Sequence, residues 1–393
     1  MVLLSDYTGR EQSYVKHIFL ESYLEALIHK TASAYLHIVY VDGFAGPWQS
    51  ASERFEDTSF GIALNALRRA KGSWKEKRPD LRMSAFLVER DLSAYQQLVR
   101  VPARYPELKV ETYNDDFLTV LPKILRHIPS DAFTFFLIDP KGWRIPLREL
   151  QALLARQHSE VIFNFMFDFI NRAASIKDVA VATGLDELIP FGDWRSKLGK
   201  VERSGHSTPD ERKAILVEAF GQSLKQLGNY DYVAETTVLR PLKDRPLYCL
   251  FYATRHPKGI EVFRHSQVAA LREESKTRAT NKIKHASTAT GQGELFDSLH
   301  DMAPDKLEAF FQDEQVKAEK SLLELAPSSP HFINYEKLRA QVMARHVTTA
   351  PNLNQIAVRL YKQNQLLFPD WEKGKRVPQS NYRAQRALIT SGN

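Results

Sequence analysis

Asp42, Glu89, Asp115, Asp116 and Asp139 each stand where an apolar run gives way to polar residues. His37-Ile38-Val39-Tyr40-Val41 runs into Asp42-Gly43-Phe44-Ala45-Gly46-Pro47, and Met83 to Val88 runs into Glu89-Arg90-Asp91. Leu108 to Tyr113 leads to Asn114-Asp115-Asp116, and Ala132 to Ile138 leads to Asp139-Pro140-Lys141-Gly142. Carboxylates accept hydrogen bonds from hydroxyls and amines and balance cations. A converging set of them therefore suits a ligand with a diol, an amine and an ammonium group. Gly43 and Gly46 add a tight turn and let the backbone approach a ligand closely. A lone Gly-x-x-Gly also fits an ordinary β-to-α turn; its weight comes from the acids that follow at the later strand ends.

The elements that must position these acids are legible as alternating patterns. Near-continuous apolar runs mark strands buried on both faces. Between them, Ile62, Leu64, Ala66 and Leu67, then Tyr95, Leu98 and Val99, have helical spacing. Strand-helix alternation predicts a doubly wound α/β domain, whose ligands bind outside the carboxyl ends of the strands. Val161 to Met166 reads as a fifth strand, about 174–200 as a helical insertion, and Ala214 to Leu227 as an amphipathic helix. Tyr232 to Leu239 and Leu247 to Thr254 read as an antiparallel closing pair. The expected fold is a Rossmann-like class I methyltransferase sheet over residues 1–275, with a smaller C-terminal winged-helix domain.

The expected ligand is S-adenosylmethionine rather than a dinucleotide. A pyrophosphate needs a helix N-terminus directly after the glycine turn. Here Trp48 to Asp57 intervenes before Thr58 or Ser59 can start a helix, and Gly-x-Gly-x-x-Gly is absent. On this reading Asp42 faces the methionine amino group or caps the turn, and the loop Gly43, Phe44, Ala45 and Gly46 wraps the cofactor. Glu89 accepts the ribose hydroxyls, and Asp115 or Asp116 the adenine amine. Asp139, with Pro140, lies nearest the transferable methyl and is the candidate catalytic group. Asn164, Asp168 and Arg172 could line the substrate side or serve as caps.

At these residues the chain resembles the three-Cys-motif partner (TcmP) family. The resemblance rests on Asp42-Gly43-Phe44-Ala45-Gly46-Pro47, Phe60-Gly61-Ile62-Ala63-Leu64 and Leu137-Ile138-Asp139-Pro140-Lys141-Gly142. It takes in Tyr14 to Tyr23, Asn164 to Arg172 and Tyr248 to Phe263, about the first two-thirds of the chain. It implies a class I methyltransferase fold and association with a radical-enzyme protein. One departure is Lys141, where the family commonly has an aromatic residue.

Composition narrows the classes further. The 393 residues imply more than one domain, and 43% hydrophobic residues can build a substantial core. No run approaches the ~18 apolar residues of a membrane span, and Met1 to Asp6 lacks a basic, then apolar, secretory leader. A cytoplasmic protein is expected. The one cysteine, Cys249, lies in an apolar strand, which excludes disulfide frameworks and cysteine zinc sites and favours packing. Phe44-Ala45-Gly46 is similar to the cofactor loop of cytosine-C5 methyltransferases, but those need a cysteine after a proline at the fourth strand. Asp139-Pro140-Lys141-Gly142 supplies none. The scattered His37, His127 and His158 have no metal-ligand spacing.

After a Lys-, Thr-, Ser- and Gly-rich stretch read as a linker (276–298), helices are expected at Asp305 to Leu325, Tyr335 to His346 and Asn352 to Asn364. A hairpin is expected from Leu366-Leu367-Phe368 to Gly374-Lys375-Arg376-Val377. Helix, turn, helix and hairpin is the order of a winged helix. From Asn352 onward seven cations (Arg359, Lys362, Lys373, Lys375, Arg376, Arg383 and Arg386) face Asp370 and Glu372, which is +5 of the chain's +7. Localised positive charge is an electrostatic footprint for nucleic acid. Docking of a protein partner is the rival use of this module.

Together these readings predict a methyltransferase acting on nucleic acid, RNA or DNA. The Asp-Pro-Pro-aromatic motif of base-amine enzymes is replaced by Asp139-Pro140-Lys141-Gly142, with Trp143 one place later. Trp143 can stack on a base, and Lys141 can hold a phosphate or acidic group. The alternative is a catalytically silent binding partner that kept the fold.

Overall fold

A computed structural model describes residues 7, 11–46, 50, 55–140, 142–205, 208–240, 243–290 and 302–387. The chain divides into two units, Met1–Arg255 and His256–Asn393.

The first unit opens with helix α1 (Glu11–Ala32). Phe19, Leu20, Tyr23, Leu24, Leu27 and Ile28 are buried along one stripe of it, at the three- and four-residue spacing of a helix face. Five parallel strands then alternate with helices: β1 (His37–Asp42), α2 (Ser59–Trp74), β2 (Arg82–Val88), α3 (Leu92–Leu98), β3 (Lys109–Tyr113), α4 (Phe117–His127), β4 (Phe133–Ile138), α5 (Gln151–Leu154) and β5 (Ser159–Phe165). Side-chain caps start the helices where the sequence supplies them. Thr58 accepts from Gly61 N, Asp91 from Ala94 N and Asp116 from Leu118 N, each satisfying an otherwise orphaned amide.

Helices α6 (Phe167–Ala173), α7 (Val179–Leu188), α8 (Trp194–Arg203) and α9 (Pro209–Gly228) follow, then strands β6 (Tyr232–Arg240) and β7 (Lys243–Thr254). The sheet order is β3-β2-β1-β4-β5-β7-β6, with β7 antiparallel to both neighbours. This is the Rossmann-like sheet, parallel strands with an antiparallel closing pair, that the strand pattern predicts. β1, β4 and β5 are buried almost throughout, as their apolar runs require. Phe163, Phe165, Phe220 and Phe251 cluster between the sheet and α9, with ring centroids 4.5 to 5.6 Å apart. At the amino end of β5 the buried Glu160 accepts from Tyr23 Oη at 2.7 Å and Thr254 Oγ1 at 2.9 Å, so α1 and β7 share one carboxylate. Cys249 is fully buried, and burial pushes its thiol pKa far up. It is a packing residue.

The second unit comprises α10 (Pro257–Thr290), α11 (Met302–Leu325), β8 (Ile333–Asn334), α12 (Tyr335–Arg345), α13 (Ala350–Lys362), β9 (Leu366–Leu367) and β10 (Arg383–Arg386). Its three short strands pair antiparallel in the order β8-β10-β9. Buried Arg264 ties α10 to the end of α12 through Met343 O at 2.5 Å, and Arg339 pairs with Glu261.

Two expectations differ here. The stretch read as a linker from residue 276 continues α10 as far as Thr290. It has few apolar residues, Ile283 and three alanines, but it also lacks proline and glycine, and its Lys, Arg and Ala are compatible with a helix. Residues 291–298 of that linker lie outside the described residues. The strand returning against β9 is β10, whereas Gly374 to Val377 forms the connection between them. A winged helix therefore remains an expectation for this unit.

Candidate functional site

The register of the sheet brings the acids to one edge. Asp42 ends β1 beside Leu87 of β2 and Leu137 of β4, and Val88 lies beside Tyr113. Glu89, Asp115, Asp116 and Asp139 follow the last residues of β2, β3 and β4. All stand at the carboxyl ends of parallel strands.

Asp42 is fully buried and accepts three hydrogen bonds: from Tyr40 Oη at 2.9 Å, Phe44 N at 3.0 Å and Ser59 Oγ at 2.9 Å. It therefore organises the β1–α2 turn and fastens it to the start of α2. Tyr40 reaches it because residues two apart share a strand face. Burial raises the Asp42 carboxyl to about 6; the three hydrogen bonds oppose the shift and the charge of Asp139 adds to it. In the turn itself, Gly43 N donates to Leu137 O and Ala45 N donates to Val88 O. A Cβ on Gly43 would stand 2.9 Å from the Phe117 ring, so only glycine fits that approach. Phe44 packs on the same ring at 5.8 Å, and Gly46 completes the described part of the loop.

Glu89 is buried and takes Asp91 N on Oε1 at 2.6 Å. Asn114 Nδ2 donates to Glu89 O at 2.9 Å, locking the ends of β2 and β3 together. Exposed Asp115 accepts Asp116 N on Oδ1 at 2.7 Å, while Asp116 caps α4 with Oδ1 and lies 3.8 Å from Arg90 with Oδ2.

Asp139 is held from both sides. Lys16 Nζ of α1 donates to Oδ2 at 2.5 Å, and Asn164 Nδ2 of β5 donates to Oδ1 at 2.5 Å. The Asn164 side chain is buried, and its Oδ1 has no hydrogen-bond partner among the described residues. Pro140 is buried beside Asp139, Lys141 lies outside the described residues, and Gly142 has φ +111°. Trp143 is half-buried, and its ring fills the space beside Gly184 of α7, with Arg144 5.5 Å from its centre. That packing makes Trp143 part of the support for the insertion.

Asp168, at the start of α6, is buried and paired with two arginines, Arg172 NH2 on Oδ2 and Arg245 NH2 on Oδ1, both at 3.0 Å. Arg245 enters this group from β7 and was not visible in the sequence as a site residue. Lys16 was missed as well. It is a single cation among the buried residues of α1, with no local signal of its partner 123 positions away. Tyr40 was legible in principle through its spacing from Asp42.

In the second unit Lys362, Lys373, Lys375 and Arg376 are exposed and have no carboxylate partner among the described residues. Arg359 pairs with Glu319, and Arg383 with Asp370 at 2.8 Å, so those two charges are already compensated. The Tyr361 and Trp371 rings stack at 4.4 Å, and Trp371 Nε1 donates to Lys375 O at 3.2 Å, holding the β9–β10 connection against α13. Among the described residues no group of three or more His, Cys, Asp or Glu can hold a metal ion, and no helix is long and apolar enough to cross a membrane.

No family model and no curated protein matches the chain. Among solved structures it is similar to a Legionella pneumophila protein assigned to family DUF519, at 12% identity and TM-score 0.38, covering 64% of this chain and 89% of that one. It is also similar to a loganic acid methyltransferase solved with SAH, at 8% identity and TM-score 0.29, covering 75% of this chain and 88% of that one. The fold is defined here by the strand order and directions of the chain's own sheet.

Proposed function

We propose that the chain is an S-adenosylmethionine-dependent methyltransferase acting on nucleic acid, related to the three-Cys-motif partner family. The observation that carries this reading is the row of carboxylates along the carboxyl edge of the sheet, above a glycine turn that Asp42 organises.

The donor set fits the cofactor. Glu89 suits a ribose diol, Asp115 or Asp116, both just after the end of β3, suits an adenine amine, and the edge as a whole is acidic enough for an ammonium group. A pyrophosphate fits poorly, because Thr58 already caps α2 and that helix begins well after the glycine turn. When bound, the cofactor supplies a methyl group activated by a sulfonium. The chain's part is to bind and orient. Lys16 and Asn164 fix the Asp139 carboxylate, and Asn164 Oδ1 offers a buried acceptor beside it. Asp139 and Asn164 are thus arranged to align an acceptor group that carries a hydrogen-bond donor, and Asp139 can take its proton. The exposed Lys362, Lys373, Lys375 and Arg376 of the C-terminal unit would add affinity for phosphates, in keeping with a winged helix.

One observation favours a second reading, a binding partner without catalysis. The ammonium of Lys16 covers one oxygen of Asp139, the acid expected beside the methyl. Calorimetric titration with S-adenosylhomocysteine, S-adenosylmethionine and NAD tests the pocket, and binding of the adenosyl compounds alone is expected. Incubation with methyl-tritiated cofactor and separate pools of DNA, RNA and protein tests the reaction. Label in protein alone would refute the substrate, and cofactor binding with no labelled pool would support the silent partner.

A further inference from the structure

The Arg172–Asp168–Arg245 group has a geometry that its salt bridges do not exhaust. Arg172 pairs with the buried carboxylate through one NH2 and donates its Nε to Asp168 O at 3.1 Å, Arg245 pairs with it through one NH2, and each side chain remains more than half exposed, at 56% and 55%. A guanidinium has five N–H donors, so each arginine keeps donors beyond those given to Asp168 on a side chain that is more than half exposed. One carboxylate between two guanidiniums leaves a net positive charge, with each guanidinium anchored on its own oxygen of the same carboxylate, an arrangement suited to an anion.

An aromatic surface adjoins this charge. Phe169 is 46% exposed, and the Arg172 guanidinium lies 4.9 Å from its ring centre. Lys177 is exposed nearby in sequence, with the apolar Ile176 and Val179. The segment is held from behind by Arg212 of α9, which donates to Asn171 Oδ1 at 3.1 Å and Ser175 Oγ at 3.0 Å. α6 therefore presents Phe169 from a fixed backbone, immediately after the β5 strand that carries Asn164.

We propose that this face of α6, with Arg245, is a docking site for single-stranded nucleic acid: Arg172 and Arg245 take a backbone phosphate and Phe169 stacks on an adjacent base. This deepens the methyltransferase reading and rests on it only for the purpose of binding. A single strand is favoured because a duplex keeps its base faces stacked, whereas an exposed ring fixed beside Arg172 fits an unstacked base.

The test is fluorescence anisotropy of the full chain with labelled single-stranded oligouridine and oligodeoxythymidine and with a duplex of equal length, across a salt series. Wild type is expected to bind the single strands more tightly than the duplex, and the oligouridine and oligodeoxythymidine arms separate RNA from DNA. Phe169→Ala should weaken single-strand binding about five-fold or more, with Phe169→Tyr close to wild type. Arg172→Gln/Arg245→Gln together should lower the log–log salt slope by about 0.7, one phosphate's worth, with Arg172→Lys/Arg245→Lys retaining the slope. Circular dichroism and S-adenosylhomocysteine titration of the same variants control for folding and for the pocket. Unchanged affinity and slope in folded variants would overturn the site, as would duplex binding equal to single-strand binding in wild type. Strand binding without any adenosyl binding by wild type would overturn the proposed function and leave this surface standing.

Discussion

Lys16 Nζ lies 2.5 Å from Asp139 Oδ2, joining the helix that precedes the sheet to the acid at the end of its fourth strand. Both side chains are mostly buried, so solvent screens the pair little. Replacing Lys16 with Met removes a charge-assisted hydrogen bond of about 1.5–3 kcal/mol. Thermal unfolding should fall by about 2–4 °C for each kcal/mol of stability removed. S-adenosylhomocysteine affinity should hold, because Lys16 is not among the groups assigned to the adenosyl end. An unchanged melting temperature would show that the pair contributes nothing in solution.

The raised Asp42 carboxyl gives a pH signature. Its folded value of about 6 exceeds its ordinary 3.8, so between those pH values the folded chain binds more protons than the unfolded one. Stability from this group is fully present below about pH 4 and declines as pH rises towards and through 6, by roughly 3 kcal/mol in all. Urea unfolding of wild type and Asp42→Asn between pH 4 and 7 should show the wild type losing stability relative to the variant. Parallel curves would mean that Asp42 does not titrate in this range.

Gly43→Ala places a methyl 2.9 Å from the Phe117 ring. Overpacking of this kind costs about 1–3 kcal/mol. Because Gly43 and Phe117 touch, Phe117→Leu should relieve part of that cost, and the double variant should be more stable than the sum of the singles predicts. Denaturant midpoints of the four proteins test this, and strict additivity would contradict the packing.

Glu89→Gln probes the cofactor reading. If its carboxylate accepts ribose hydroxyls, the loss of charged hydrogen bonds worth about 1.5–3 kcal/mol should weaken S-adenosylhomocysteine roughly 10- to 100-fold by calorimetry. Equal affinity in a folded variant would remove Glu89 from the site.

For the C-terminal unit, the exposed Lys375 and Arg376 are the cations proposed to neutralise phosphates. Lys375→Ala/Arg376→Ala should lower the duplex log–log salt slope by about 0.9 for each phosphate left without its cation. If the slope stays at the wild-type value, these two cations do not touch the nucleic-acid backbone.

The sequence by itself determined the parallel strands, the closing pair and the acids at their ends, because those signals are local. Apolar runs interrupted at an acid and a glycine mark a buried strand and its turn without reference to the rest of the chain. Tyr40 belongs to the same class, since its alignment with Asp42 follows from the two-residue period of a strand. What the tertiary structure decided depends on which distant elements pack together. Lys16 meets Asp139, and Arg245 meets Asp168, only because α1 and β7 come to the same edge as β4 and β5. Composition alone read the Lys-, Thr- and Ser-rich end of α10 as linker, yet the helix continues there because nothing in the segment breaks it. The partner of β9 was likewise decided at a distance: β10 pairs with both β8 and β9 and so satisfies two strands at once, which the nearer Gly374 to Val377 does not.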